Sequence, residues 1–169
     1  MLFNSFEFIF FFLPFTFFIY FYLLEKRLIT GAKGFLVFTS LFFYSWWNIK
    51  YLPLISGSII FNYAIGTMLA KRFANNNFRR RAVLILGISL NIALLGFFKY
   101  MDFFISNLNN LADTQIRLLH IVLPLGISFF TFTQITYLVD SYKSIAKEYS
   151  FWNYSLFVTF FPHLLAGPI

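Results

Sequence analysis

The side chains able to do chemistry are few: two histidines, six acidic residues and no cysteine. Without a thiol, disulfides, thiolate metal sites and a cysteine nucleophile are all excluded. His163 stands beside Pro162 inside an apolar segment, where an ionisable group points to function by default. The plainer reading, a histidine held by hydrogen bonds among packed helices, takes precedence over a general base. His120 lies at the edge of an apolar segment and reads as solvated. The richest polar run is LPLGISFFTFTQITYLVDSYK, from Leu123 to Lys143, which carries Ser128, Thr131, Thr133, Gln134, Thr136 and Asp140 in an otherwise apolar stretch. On a helix Thr133, Thr136 and Asp140 share one face, and a polar face in lipid must look toward other helices or a water-filled cavity. Gln134 and Asp140 are therefore candidates to line a channel, while an Asp140 carboxylate paired with Lys143, or capping a neighbouring helix, is the simpler alternative. No glycine-rich phosphate loop, Walker pattern or HExxH motif occurs, so ATP-driven and zinc-hydrolase chemistry have no support.

The elements that position these residues follow from composition. Hydrophobic residues make up 60% of the 169-residue chain and charged residues 11%, against roughly half and a quarter in soluble domains. A water-soluble fold is excluded. At about 20 residues per crossing, the expected architecture is all-α: a polytopic membrane bundle of about six segments. They are expected at 8–24, 35–49, 51–70, 82–98, 118–140 and from Phe151 onward. Most of the 28 phenylalanines read as lipid-facing bulk, above all in FEFIFFFLPFTFFIYFY. The start lacks a positive run and a small-residue cleavage site, so the first segment reads as an uncleaved helix with Pro14 in its first half.

Local signals refine this plan. Gly31 and Gly34 are expected to break the chain before the second segment, and Trp46 and Trp47 to sit at its watery end. Ser58, Asn62 and Gly66, at steps of four, form a small-residue stripe that lets helix backbones approach, and packing is the preferred reading of Asn62. The stretch 71–81 holds five basic residues and no acidic one, which places it as a cytoplasmic loop. Counting outward puts the N-terminus outside. Lys26, Arg27, Lys33, Lys71, Arg72, Arg79, Arg80, Arg81, Lys143 and Lys147 then lie inside, and only Lys50, Lys99 and Arg117 outside. Topology thus explains the net charge of +7 without a nucleic-acid partner. Residues 99–117 are expected to form a separate helix along the surface, and Pro124 and Gly126 to kink or interrupt the fifth segment.

The run from Leu123 to Lys143 resembles the LPLGISFFTFQ-ISYLVDVYR signature of the alginate O-acetyltransferase branch of the membrane-bound O-acyltransferases. FFYSWWNIKYLPLISGSIIFNY from Phe42, LNIALLGFFKYMDFF from Leu90 and FFPHLLAGPI from Phe160 fit the same branch in the same order and, with it, cover most of the chain. The resemblance implies an enzyme of the bacterial inner membrane. It would pass an acyl group, from acetyl-coenzyme A or another acyl carrier serving as substrate, to a hydroxyl of an exported polysaccharide such as alginate, with partner acetylation proteins. It implies no bound metal. Arg79 to Arg81 could attract coenzyme A phosphates or anionic headgroups, although topology already accounts for them. The family histidine is borne on a helix downstream of the AGPI words, beyond Ile169, and at the position of His163 the resemblance implies glutamine or another polar residue. No catalytic residue is therefore assigned within 1–169, which reads as the N-terminal part of a single transmembrane domain, truncated after AGPI and inactive alone. His163, Gln134 and Asp140 remain candidates to line the tunnel or support it. A non-catalytic transporter half or scaffold subunit also suits polar faces and kinked helices, although the first three segments and the last three show no internal repeat.

Overall fold

The computed structural model describes residues 5–72, 77–112, 114–145 and 150–160, and every regular element among them is helical. A π-helical turn, Phe8–Phe12, leads into α1, Leu13–Glu25; α2 spans Ile29–Trp47. A 3-10 turn, Ile49–Tyr51, opens α3, Leu52–Thr67, which continues as a π-helical turn, Met68–Arg72. Then come α4, Asn77–Ala112, α5, Ile127–Tyr142, and α6, Phe151–Thr159. The helices group into two compact units, one drawn from Met1–Ala64 and Lys147–Ile169, the other from Ile65–Ala146.

In the first unit α1 lies along α2. Phe8, Phe12 and Thr16, one turn apart, form its buried face, with Phe8 and Phe12 5.4 and 5.7 Å from the Phe43 ring. Phe10, Phe11, Phe15, Phe17, Phe18 and Phe21 face outward, as bulk meant for lipid should. Pro14 lies inside a continuous helical run, since Phe12 and Leu13 are both helical, and the chain takes π geometry in the turn just before the residue that lacks an N–H. The expected break at Gly31 and Gly34 does not occur: α2 starts at Ile29 and runs through both. Gly34 makes room for a partner, because a Cβ there would meet the Trp152 ring of α6 at 3.4 Å. Asn62 is fully buried, and its amide donates to the Ser58 carbonyl at 2.9 Å and hydroxyl at 3.3 Å, in keeping with its packing reading.

In the second unit three expectations are corrected. Arg79 to Arg81 belong to the start of α4 and not to a loop. The anticipated surface helix is absent as a separate element, since α4 continues unbroken through Lys99 to Ala112; no proline or glycine follows Gly96 to stop it, and charge alone does not. Its 36 residues extend over about 54 Å, well beyond a hydrocarbon core of about 30 Å. Finally, residues 118–124 are not helical. The chain turns back beside the far end of α4, where Asn109 Oδ1 accepts from Ile116 N at 3.0 Å, Asn109 Nδ2 donates to Ile116 O at 2.8 Å, and Asp102 Oδ1 accepts from Leu119 N at 2.8 Å. Pro124 and left-handed Gly126, with φ 66°, then restart the helix at Ile127.

Among the described residues, three helices are long and apolar enough to cross a membrane: Phe8–Glu25, Ile49–Ala70 and Phe78–Ala112. The fifth segment is shortened to the 16 residues of α5, about 24 Å, which falls short of a full crossing.

Candidate functional site

α5 carries the polar run that drew attention in the sequence. Its buried face follows helical spacing through Ile127, Thr131, Gln134, Leu138 and Ser141, so the buried polar stripe is Thr131, Gln134 and Ser141, with Thr133 beside it. The expected face of Thr133, Thr136 and Asp140 is thereby shifted: Thr136 and Asp140 are only half-buried. Thr133 and Thr136 return their hydroxyls to their own helix, donating to Phe130 O at 2.8 Å and Phe132 O at 3.0 Å. The Thr131 hydroxyl is buried without a hydrogen-bond partner among the described residues.

Two glycines explain how α5 is seated. A Cβ at Gly66 would fall within the Tyr137 ring's contact distance, and one at Gly87 would lie 2.8 Å from Leu138 Cδ1. Consecutive residues of α5 thus sit in notches made by two different elements, which fixes the rotation of the helix about its axis. Leu138 against Gly87, and Tyr142 one turn further along α5 against Arg80 two turns back along α4, show that α4 and α5 run antiparallel. One turn in the other direction, Asn91 follows Gly87 on α4 and Gln134 precedes Leu138 on α5. Both amides are buried, Asn91 at 5% exposure and Gln134 at 0%, and Asn91 donates to Gly87 O at 2.8 Å.

Asn91 was not singled out in the sequence. The signal was there: a lone amide in the apolar run SLNIALLG, the type of residue that membrane helices keep for their protein-facing side. Asp140 makes no hydrogen bond or ion pair with Lys143; its main-chain carbonyl accepts from Ile145 N at 2.9 Å. His120 is exposed, as expected, in the segment between α4 and α5. His163 and the AGPI words lie outside the described residues. Among the described residues no group of three histidine, aspartate or glutamate side chains could hold a metal.

Among the described residues the arrangement is a buried line of amides and hydroxyls between α4 and α5 that holds no carboxylate or imidazole. It can orient a polar group at membrane depth.

The fold and site define a membrane protein built of helices around a polar seam. Curated relatives then align with the whole chain: the peptidoglycan O-acetyltransferase of Helicobacter pylori, 43% identical over 195 residues, and the probable alginate O-acetylases AlgI of Pseudomonas aeruginosa, 36% over 174, and Azotobacter vinelandii, 34% over 175. The resemblance to the alginate O-acetylase branch of the membrane-bound O-acyltransferases is borne out by these relatives, each of which aligns with all of the chain. It spans about a third of the length of these relatives, 37%, 32% and 34% in turn. No family model matches the chain, and no solved structure does.

Proposed function

We propose that this chain is the N-terminal part of a membrane-bound O-acetyltransferase that esterifies hydroxyls of an exported polysaccharide. The observation that carries the reading is the alignment of the entire chain with relatives named as O-acetyltransferases of peptidoglycan and of alginate. In this reaction a hydroxyl oxygen of the acceptor attacks the acyl carbonyl, the bond from that carbonyl to the donor breaks, and the hydroxyl proton passes to a base. General-base assistance contributes about two to four powers of ten, and the base is the histidine that the family carries downstream of the AGPI words. The donor is acetyl-coenzyme A or another acyl carrier, a substrate and not a resident cofactor.

Within residues 1–169 the contribution is positional. Gln134 on α5, with Asn91 on α4, lines the path by which donor and acceptor meet, and Asp140 lies near its cytoplasmic mouth. The protein sits in the bacterial inner membrane with its N-terminus outside, since ten basic residues then lie inside and three outside. What supports this orientation is the continuity of α4, which has Arg79 to Arg81 at one end and Lys99 about 30 Å further on.

The test is disruption of the complete gene, followed by measurement of alkali-released acetate from the cell-surface polysaccharide. Acetate should fall to background and return with the complete gene. Unchanged acetate in the disrupted strain would refute the reading and favour a transporter half or scaffold.

A further inference from the structure

The C-terminus of α5 is closed in an unusual way. Ile145 N donates to Asp140 O at 2.9 Å and Ser144 N to Ser141 O at 3.3 Å, the two-bond pattern that ends many helices on a left-handed residue. That residue is usually glycine. Here it is Ser144, with φ 60°, a conformation that costs an L-residue with a Cβ more than it costs glycine. The pattern also leaves the Tyr142 carbonyl without a partner from the helix itself.

Arg80, at the start of α4, answers both problems. Its Nη2 donates to Tyr142 O at 2.6 Å and to Ser144 Oγ at 2.8 Å, with a longer contact to Ser141 O at 3.4 Å. The guanidinium lies 5.2 Å from the centre of the Tyr142 ring. A cation at the negative end of a helix, bonded through one nitrogen to its last carbonyls and placed over its last aromatic ring, is held both by the helix dipole and by the ring.

We propose that Arg80 and Ser144 form a clamp that sets the depth and register of α5 against α4, and that the serine occupies a glycine position because its hydroxyl accepts from Arg80. Because α5 is too short to span the membrane, its end cannot be anchored by length and is held by this contact instead. Arg80 is a positioning residue: it fixes Gln134 on α5 relative to Asn91 on α4. The effect on catalysis, as distinct from the clamp itself, rests on the function proposed above.

The test is a double-mutant cycle in the complete gene product, in its native membrane extract. With Arg80 present, Ser144→Gly removes the hydroxyl acceptor and should lower the apparent melting temperature by about 2 °C, although glycine relieves the backbone. In an Arg80→Gln background the sign should reverse, because only the relief remains. Arg80→Lys should lower acetate transfer about tenfold with protein abundance unchanged, and Arg80→Lys with Ser144→Asp should recover most of it through a new ion pair, aspartate being tolerant of the left-handed conformation. If Ser144→Gly raises the melting temperature equally in both backgrounds, the hydroxyl is idle and the clamp is overturned. If the sign reverses while acetate transfer is the same in every variant, the clamp stands and the role of α5 in transfer is refuted.

Discussion

The α1–α2 pair and the α4–α5 pair solve the same problem, holding two helices together where apolar burial against lipid gains little, by opposite means. The first interlocks large side chains: Phe8 and Phe12 close on Phe43, and outward-facing phenylalanines cover the rest of α1. The second removes side chains. Gly66 and Gly87 open notches for Tyr137 and Leu138, and the close approach brings buried amides and hydroxyls together. Ring packing tolerates small changes of angle, whereas a helix seated in two glycine notches and clamped by Arg80 has one position. For the function proposed above, a seam that orients reacting groups calls for the second design.

The contrast is broken most sharply at the glycines. Gly66→Leu drives a branched side chain into Tyr137 and should abolish accumulation of folded protein in the membrane, read by detergent extraction and gel filtration; overpacking of this kind costs about 1–3 kcal/mol even where neighbours can shift, and here two elements oppose the shift. Phe12→Ala should be milder than the about 3–5 kcal/mol such a change costs in a soluble core, lowering the melting temperature while acetate transfer per folded molecule stays normal. Asn91→Leu should do the reverse, leaving abundance close to normal and reducing transfer about tenfold. Phe15→Leu, on the outward face of α1, should change either quantity hardly at all, within about 0.5 kcal/mol in stability. Should Phe12→Ala and Asn91→Leu behave alike, the distinction between an anchoring seam and a reacting seam fails.

Much of this was legible in the sequence. Composition gave the helical membrane class, the phenylalanine run gave the outer face of α1, and four short signatures gave the family. Gln134 could be named because a glutamine between threonines in an apolar run has few uses besides a buried one. Other features were hidden for physical reasons. Gly34 reads as a breaker because single-chain rules cannot see Trp152 arriving against it. The helical face of α5 was misjudged by about one residue because its rotation is set by Gly66 and Gly87, far away in sequence. The continuity of α4 past Lys99 was missed because charge marks where a helix leaves the membrane and not where it ends. Arg80 was absorbed into a topology argument that its neighbours satisfy equally well, so only its bonds to Tyr142 and Ser144 distinguish it.

The most direct measurement is acetate transfer by the complete gene product carrying Gln134→Leu, compared with the unaltered protein at equal abundance in a strain whose own copy is disrupted. Leucine keeps the bulk and removes the amide from the buried seam. A drop of tenfold or more in alkali-released polysaccharide acetate, with the protein folded and present, is the expected result. Full acetylation by the leucine variant would show that the buried polar stripe of α5 serves packing alone.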